Sequence, residues 1–208
     1  MKLTINTTLT KNKIWYCGDT HFCHRQSFIY EVRGYKSPEE HTWAVINKIN
    51  EQAAPQDYIF HLGDFGLNYT QNDFEMIISK INCQNIYYIA GNHNSRISEA
   101  YRHEVYLQFN RDDIEVYPIR YKNIIFVGDY VEATIDKQFI IMQHYPIYSW
   151  NQMKKGAWQL HGHQHCKGNL ETGKVFDCGW DRDKRMYSHE EMIEIMSKKQ
   201  IASDGSHH

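Results

Sequence analysis

No apolar run in the 208 residues approaches the roughly 20 positions that a membrane-spanning helix needs. The opening stretch MKLTINTTLTKNK also lacks an apolar run able to act as a signal peptide, so the protein is expected to be soluble. Five cysteines form an odd set without a single CxxC pair. That argues against a disulfide framework or a structural zinc knuckle and fits a reducing cytoplasm. An excess of one charge is missing too. The formal net charge is −2 and the isoelectric point near 6.7, which gives no electrostatic case for broad nucleic-acid or membrane binding. With 41% apolar residues and no Pro/Gly/Ser linker, internal repeat or low-complexity tract, residues 1–202 read as one domain. Residues 203–208, ending Gly-Ser-His-His, read as partly an expression tag and are set aside. Histidine is what the sequence has in excess, with 13 residues.

Short apolar runs alternate with amphipathic segments through the first half. IWYC, DYIFHL and NIYYIA read as strands, separated by SPEEHTWAVINKINEQ and NDFEMIISKI as helices. Ser37 is placed as N-cap, Pro38 at the first helical position and Glu40 in a capping box, with Trp43, Ile46 and Ile49 as the core-facing stripe. This β-α-β-α-β order predicts a largely parallel sheet. After a helix expected around Ser98 to Phe109, the runs IEVYPI, NIIFVG, YVEATI, QFIIMQH, AWQLHGH and GKVFDCG follow without helices between them. They predict a second, mostly antiparallel sheet or hairpin layer. A closing helix is expected near Ser188, capped through Glu191. The pattern favours two sheets with helices outside.

Five strand ends carry residues of one chemical kind: Gly-Asp-Thr-His at 18–21, Gly-Asp at 63–64, Gly-Asn-His at 91–93, His144, and Gly-His-Gln-His at 162–165. Taken singly, an Asp after a strand usually caps a helix, and a buried His is usually a hydrogen-bonded core residue. Five such clusters are another matter, because a core has no reason to gather carboxylate, amide and imidazole at successive strand ends. Loops at those ends are where α/β proteins assemble sites.

Mixed oxygen and nitrogen donors suit divalent metals such as Mn, Fe, Zn or Ni. The six or seven candidate ligands exceed the needs of one ion, so two ions sharing a carboxylate are the economical arrangement. Their charge, offset by Asp19, Asp64 and a bridging hydroxide, leaves a centre that attracts anions and carries a nucleophile at neutral pH. Phosphoester hydrolysis fits these properties.

In that order, Asp-x-His, Gly-Asp, Gly-Asn-His, a lone His and Gly-His-x-His resemble the calcineurin-like metallophosphoesterases, over nearly the whole stretch from Asp19 to Asp181. The resemblance implies a four-layer α/β/β/α sandwich of two mixed sheets flanked by helices. It implies that Asp19, His21 and His165 hold a first metal, that Asp64 bridges both, and that Asn92, His144 and His163 complete the second. It also implies that His93 contacts the phosphate and assists the leaving oxygen after attack by the bridging hydroxide. Many relatives have an acidic residue where this chain has Asn94. An amide can orient His93 but cannot stabilise its cation, which favours diesters or monoesters with good leaving groups. DTHFCHR and HLGDFG together further resemble a small bacterial and phage subgroup, which names no substrate and speaks against a DNA-repair or signalling branch; with the cysteine usage, this implies the cytoplasm of a bacterium or a phage-infected host.

Around the metals, His24, Asn94 and Arg96 are the candidate substrate contacts, with Arg96 able to pair with phosphate oxygens. Phe22, Tyr145, Tyr148, Trp150 and Trp180 are aromatic candidates whose plainer reading is packing, and Cys23 and Cys166 are expected to be bystanders. No large insertion is available for a capping domain. The expected substrate is a nucleotide or another small phosphoester. Two other readings are a binding scaffold without turnover and a nuclease on longer DNA or RNA. The complete ligand set with His93 argues against the first, and the balanced charge against the second.

Overall fold

A computed structural model gives the fold, described for residues 2–5, 11–93, 119–168 and 173–202. Six strands form one sheet: β2 (Ile14–Cys17), β3 (Tyr58–His61), β4 (Ile86–Tyr88), β5 (Ile119–Tyr121), β6 (Ile124–Phe126) and β11 (Tyr187–Ser188), in the order β11-β2-β3-β4-β6-β5. The run β2-β3-β4-β6 is parallel, and β11 and β5 close its edges antiparallel. A second sheet of five strands contains β1 (Lys2–Ile5), β7 (Tyr130–Ile135), β8 (Gln138–Gln143), β9 (Trp158–His161) and β10 (Val175–Asp177), in the order β1-β7-β8-β9-β10. Both sheets are mixed, and with the helices they make the α/β sandwich architecture expected from the sequence.

Period-two alternation decides what each strand buries. In β2, Trp15 and Cys17 face one core while Ile14 and Tyr16 face another. The first core lies between the six-stranded sheet and two helices, α2 (Pro38–Gln52) and α3 (Gln71–Lys80), which contribute Val45, Ile46, Ile49, Phe74, Ile77 and Ile78. The second lies between the sheets, where Tyr16, Phe60 and Ile125 meet Val131, Ile140, Met142 and Leu160. The last helix, α4 (His189–Ser197), adds Met192 and Met196 to it. Over the other face of the five-stranded sheet, Trp150 packs on Ile141 and Val175 and donates its indole N–H to Ala157 O at 3.0 Å.

Three expectations need correction. The second sheet is not mostly antiparallel: β7 and β8 form a hairpin, but β1-β7, β8-β9 and β9-β10 are parallel. The β8–β9 crossover, residues 144–157, holds only a short 3-10 turn at Met153–Lys155 and lacks the α-helical periodicity that normally announces a parallel connection. Trp43 is 43% exposed rather than part of the α2 stripe, which is formed by Thr42, Val45, Ile46 and Ile49. At about 100° per residue, Trp43 falls outside the arc these four share. At the α2 start, Ser37 Oγ accepts the Glu40 N–H, but the Glu40 carboxylate takes the Lys36 N–H instead of closing the box on Ser37. The reciprocal box does form at α4 between Ser188 and Glu191.

Strand β1 and the short helix α1 (Ser27–Tyr30) add to the elements that the sequence pattern predicts. The helix expected around Ser98 to Phe109 and most of IEVYPI lie outside the described residues. No helix among the described residues is long and apolar enough to cross a membrane.

Candidate metal centre

The parallel strands β2, β3, β4, β8 and β9 all end on the same side of the sandwich, and the five polar clusters follow them there. Beyond the strands the first two loops stay zipped together: Asp19 N–H donates to Gly63 O at 3.0 Å and His21 N–H to Asp64 O at 3.1 Å. The backbone here is unusual. Asp19, His21, Asp64, His163 and His165 all have positive φ, between 49° and 68°. Non-glycine residues hold that conformation at a cost of about 1–3 kcal/mol each, and such residues cluster at functional sites. Gly63 shows the crowding that goes with it. Its φ is +90°, and a Cβ there would stand 2.5 Å from His144 Nδ1.

Two trios of ligand atoms result, Asp19-His21-His165 and Asp64-His144-His163, each with all its donor atoms within 4.8 Å of one another. In the first, His21 Nε2 lies 3.3 Å from His165 Nε2. Asp64 stands between the trios, with Oδ2 3.7 Å from His21 Nε2 and Oδ1 3.3 Å from His144 Nε2. Asn92 Oδ1 joins the second trio, 3.0 Å from His144 Nε2 and 3.1 Å from His163 Nδ1. All seven expected ligands thus converge on one place.

The donor set fits cations. His144 Nδ1 is 2.8 Å from Leu62 O, and His165 Nδ1 is 2.7 Å from Asp181 Oδ2. Those bonds take up the Nδ1 protons and turn each Nε2 lone pair toward the other ligands. Lone pairs of oxygen and nitrogen, those of Asp19, His21, Asp64 and His144 on buried residues, then face one another, an arrangement that a divalent ion relieves.

The charges agree. Burial pushes the Asp19 carboxyl up to about 7, despite the opposing pull of His144 and His165. Burial works the same way on Asp64, but the His144 hydrogen bond and charge and the His93 N–H outweigh it, holding Asp64 well below the usual carboxylate range. Burial, and then the charge of Arg33, keep His21 neutral as a ligand must be. A cation in the first trio would ionise Asp19 as well.

Residues 12–167, well over half of the chain, match the family described as calcineurin-like phosphoesterase. The chain belongs to this family. Its members are metal-dependent hydrolases of phosphoesters, in keeping with the two Asp/His trios. Among solved structures, a protein of unknown function from Aquifex aeolicus is similar in fold, with a TM-score of 0.61 at 17% identity over 88% of this chain and 99% of that one. No curated protein sequence matches significantly.

The other residues singled out in this phosphoesterase divide by place. His93 donates its backbone N–H to Asp64 Oδ1 at 2.8 Å, and its ring centroid lies 5.6 Å from that of His21. His24 is buried edge-on against His21 and beside Phe28, its Nδ1 accepting the Gln26 N–H. Asn94 and Arg96 lie outside the described residues. Tyr145 borders the second trio, its ring 4.5 Å from His163 and 5.0 Å from His144, with its hydroxyl donating to Asn92 Oδ1 at 3.3 Å. Phe22 and Trp180 are core residues, and Tyr148 is 83% exposed. Cys23 turns toward Thr42, and Cys166 toward Gly179 O. Both sulfurs stand aside.

Two residues at the site carry no sequence signal of their own. Asp181 holds His165, and Arg33 holds Asp181.

Proposed function

We propose that the chain is a binuclear metal-dependent phosphoesterase that favours phosphodiesters of nucleotides or other small molecules. The observation that carries this reading is the placement of Asp64 between two trios, each able to hold one ion. Asp19, His21 and His165 serve the first ion, Asn92, His144 and His163 the second, and Asp64 both. Mn is the preferred metal among Mn, Fe, Zn and Ni. When bound, two such ions supply Lewis-acid stabilisation of an anionic transition state and a solvent nucleophile at neutral pH.

The protein's own groups supply the rest. Leu62 O and Asp181 fix which nitrogen of His144 and His165 faces the centre. His93, tethered to Asp64 through its main chain, holds the proton that the leaving oxygen needs. Exposed Asn92 and His163 leave the second trio open to substrate, with Tyr145 as a flat wall beside it. The residue after His93 is Asn94, so no carboxylate at that position supports an imidazolium. This weakens protonation of poor leaving groups and favours diesters.

Purified protein carrying two Mn²⁺ per chain should release p-nitrophenol from bis-p-nitrophenyl phosphate, and more slowly from p-nitrophenyl phosphate. Two bound ions with turnover of neither reporter would overturn the reading.

A further inference from the structure

We infer that Arg33, which lies outside every metal motif, is the positioning residue of the first ligand trio, acting through Asp181 and through the backbone of the Asp19–His21 turn. The inference rests on the two-ion reading above. Arg33 is 2% exposed. A guanidinium has five N–H groups, and here each has an acceptor. Nε donates to Asp181 Oδ1 at 3.0 Å and Nη2 to Asp181 Oδ2 at 2.7 Å, a two-toothed grip on one carboxylate. The second Nη2 proton goes to Asp19 O at 2.7 Å, and the Nη1 protons go to Thr20 O at 3.1 Å and His41 Nε2 at 3.0 Å. His41 can accept because burial, and then the Arg33 charge itself, hold it neutral, with a pKa lowered to about 3.

One cation therefore reaches all three ligands of the trio from behind. The carbonyls of Asp19 and Thr20 belong to the two peptide units that join Asp19 to His21, both of which sit at positive φ. Asp181, gripped on one side by Arg33, takes His165 Nδ1 on the other at 2.7 Å. The first motif and the Gly-His-Gln-His loop are more than 140 residues apart in the chain, and Arg33 with Asp181 ties them into one unit. The second trio is braced differently, with the Leu62 carbonyl fixing His144. Loss of the Arg33 grip should therefore weaken one ion selectively. Lysine cannot replace it, because a single ammonium offers three donors from one point and no fork.

The test is Mn²⁺ titration of metal-free protein, followed by calorimetry and electron paramagnetic resonance, in wild type, Arg33→Lys and the double variant Arg33→Met/Asp181→Asn. The double variant removes both charges of the pair together and leaves neither unpaired. Wild type should bind two ions with a spin-coupled spectrum. In the variants one ion should keep its affinity and the other weaken by about 10- to 100-fold, the scale of changes to groups that orient metal ligands. At one equivalent the spectrum should be that of an isolated Mn²⁺. Wild type binding fewer than two ions would sink the two-ion reading, and this inference with it. Two ions in wild type, with both retained or both equally weakened in the variants, would overturn the role of Arg33 alone. So would loss of the folded circular-dichroism spectrum in both variants, which would assign Arg33 to folding.

Discussion

Gly18 and Gly91 look equivalent in the sequence, each standing directly before a ligand, yet their alanine variants should behave differently. Neither has positive φ, so the comparison isolates space from backbone strain. At Gly91 a Cβ would stand 2.4 Å from Asp64 Oδ1, 2.5 Å from Asp64 N and 3.0 Å from Gly63 Cα. Two of those neighbours are backbone atoms, so no side-chain rotation relieves the contact. The carboxylate shared between the trios has to move, along with its 2.8 Å bond from His93 N–H. Overpacking of this kind costs about 1–3 kcal/mol, and the lower entropy of an unfolded alanine offsets roughly 0.4–1 kcal/mol of it. For a chain of this length a net loss of about 1–2 kcal/mol, the middle of that range, lowers the Tm of metal-free protein by about 2–8 °C. A displacement of around 1 Å at the centre should also cost about 10²-fold in kcat/KM with Mn²⁺. At Gly18 the nearest contacts are 3.4 Å from Leu62 Cβ and Leu62 O, ordinary van der Waals distances. That variant should melt at or slightly above the wild-type temperature and lose little activity. Thermal denaturation by circular dichroism and diester turnover read both quantities. Equal damage in the two variants, or wild-type activity in Gly91→Ala, would refute the reasoning.

Replacing His93 by Asn keeps the backbone bond to Asp64, so metal content should stay near normal while activity falls by roughly 10²-fold or more. Elemental analysis showing a lost ion would make His93 a ligand instead. Asp64→Asn should abolish tight binding of both ions, since this carboxylate faces His21 and His144 at once, and equilibrium dialysis against Mn²⁺ measures it. His41 gives a pH test. Its folded pKa of about 3 lies below the unfolded value near 6.5, so between those values the unfolded chain binds more protons. Stability from this group is therefore complete above about pH 6.5 and lost as the pH falls toward 3. His41→Gln keeps an acceptor for Arg33 and removes the titration. Its urea-derived stability should depend less steeply on pH, by about 1.4 kcal/mol per pH unit across that window. Parallel pH profiles for the two proteins would contradict the buried neutral state.

The candidate ligand set was legible because its signal is local. Each polar cluster directly follows an apolar strand, so residue type and position in the run suffice to name Asp19, His21, Asp64, Asn92, His144, His163 and His165. The α4 cap at Ser188 and Glu191 was legible for the same reason. Pairing is not local. β8 and β9 pair in parallel across a crossover that holds only a single 3-10 turn at Met153–Lys155, and no period in the sequence records which strand a neighbour will be. Trp43 stands three residues before Ile46, as a stripe residue would, but the arc of α2 that meets the sheet centres on Val45, Ile46 and Ile49 and leaves Trp43 outside it. Arg33 and Asp181 are two charged residues 148 positions apart, and neither has a pattern around it that marks it out. The sequence by itself determined which atoms can hold metal. Only the tertiary structure decided what holds those atoms still, because a buried arginine acquires its meaning from five acceptors that the folded chain brings to it.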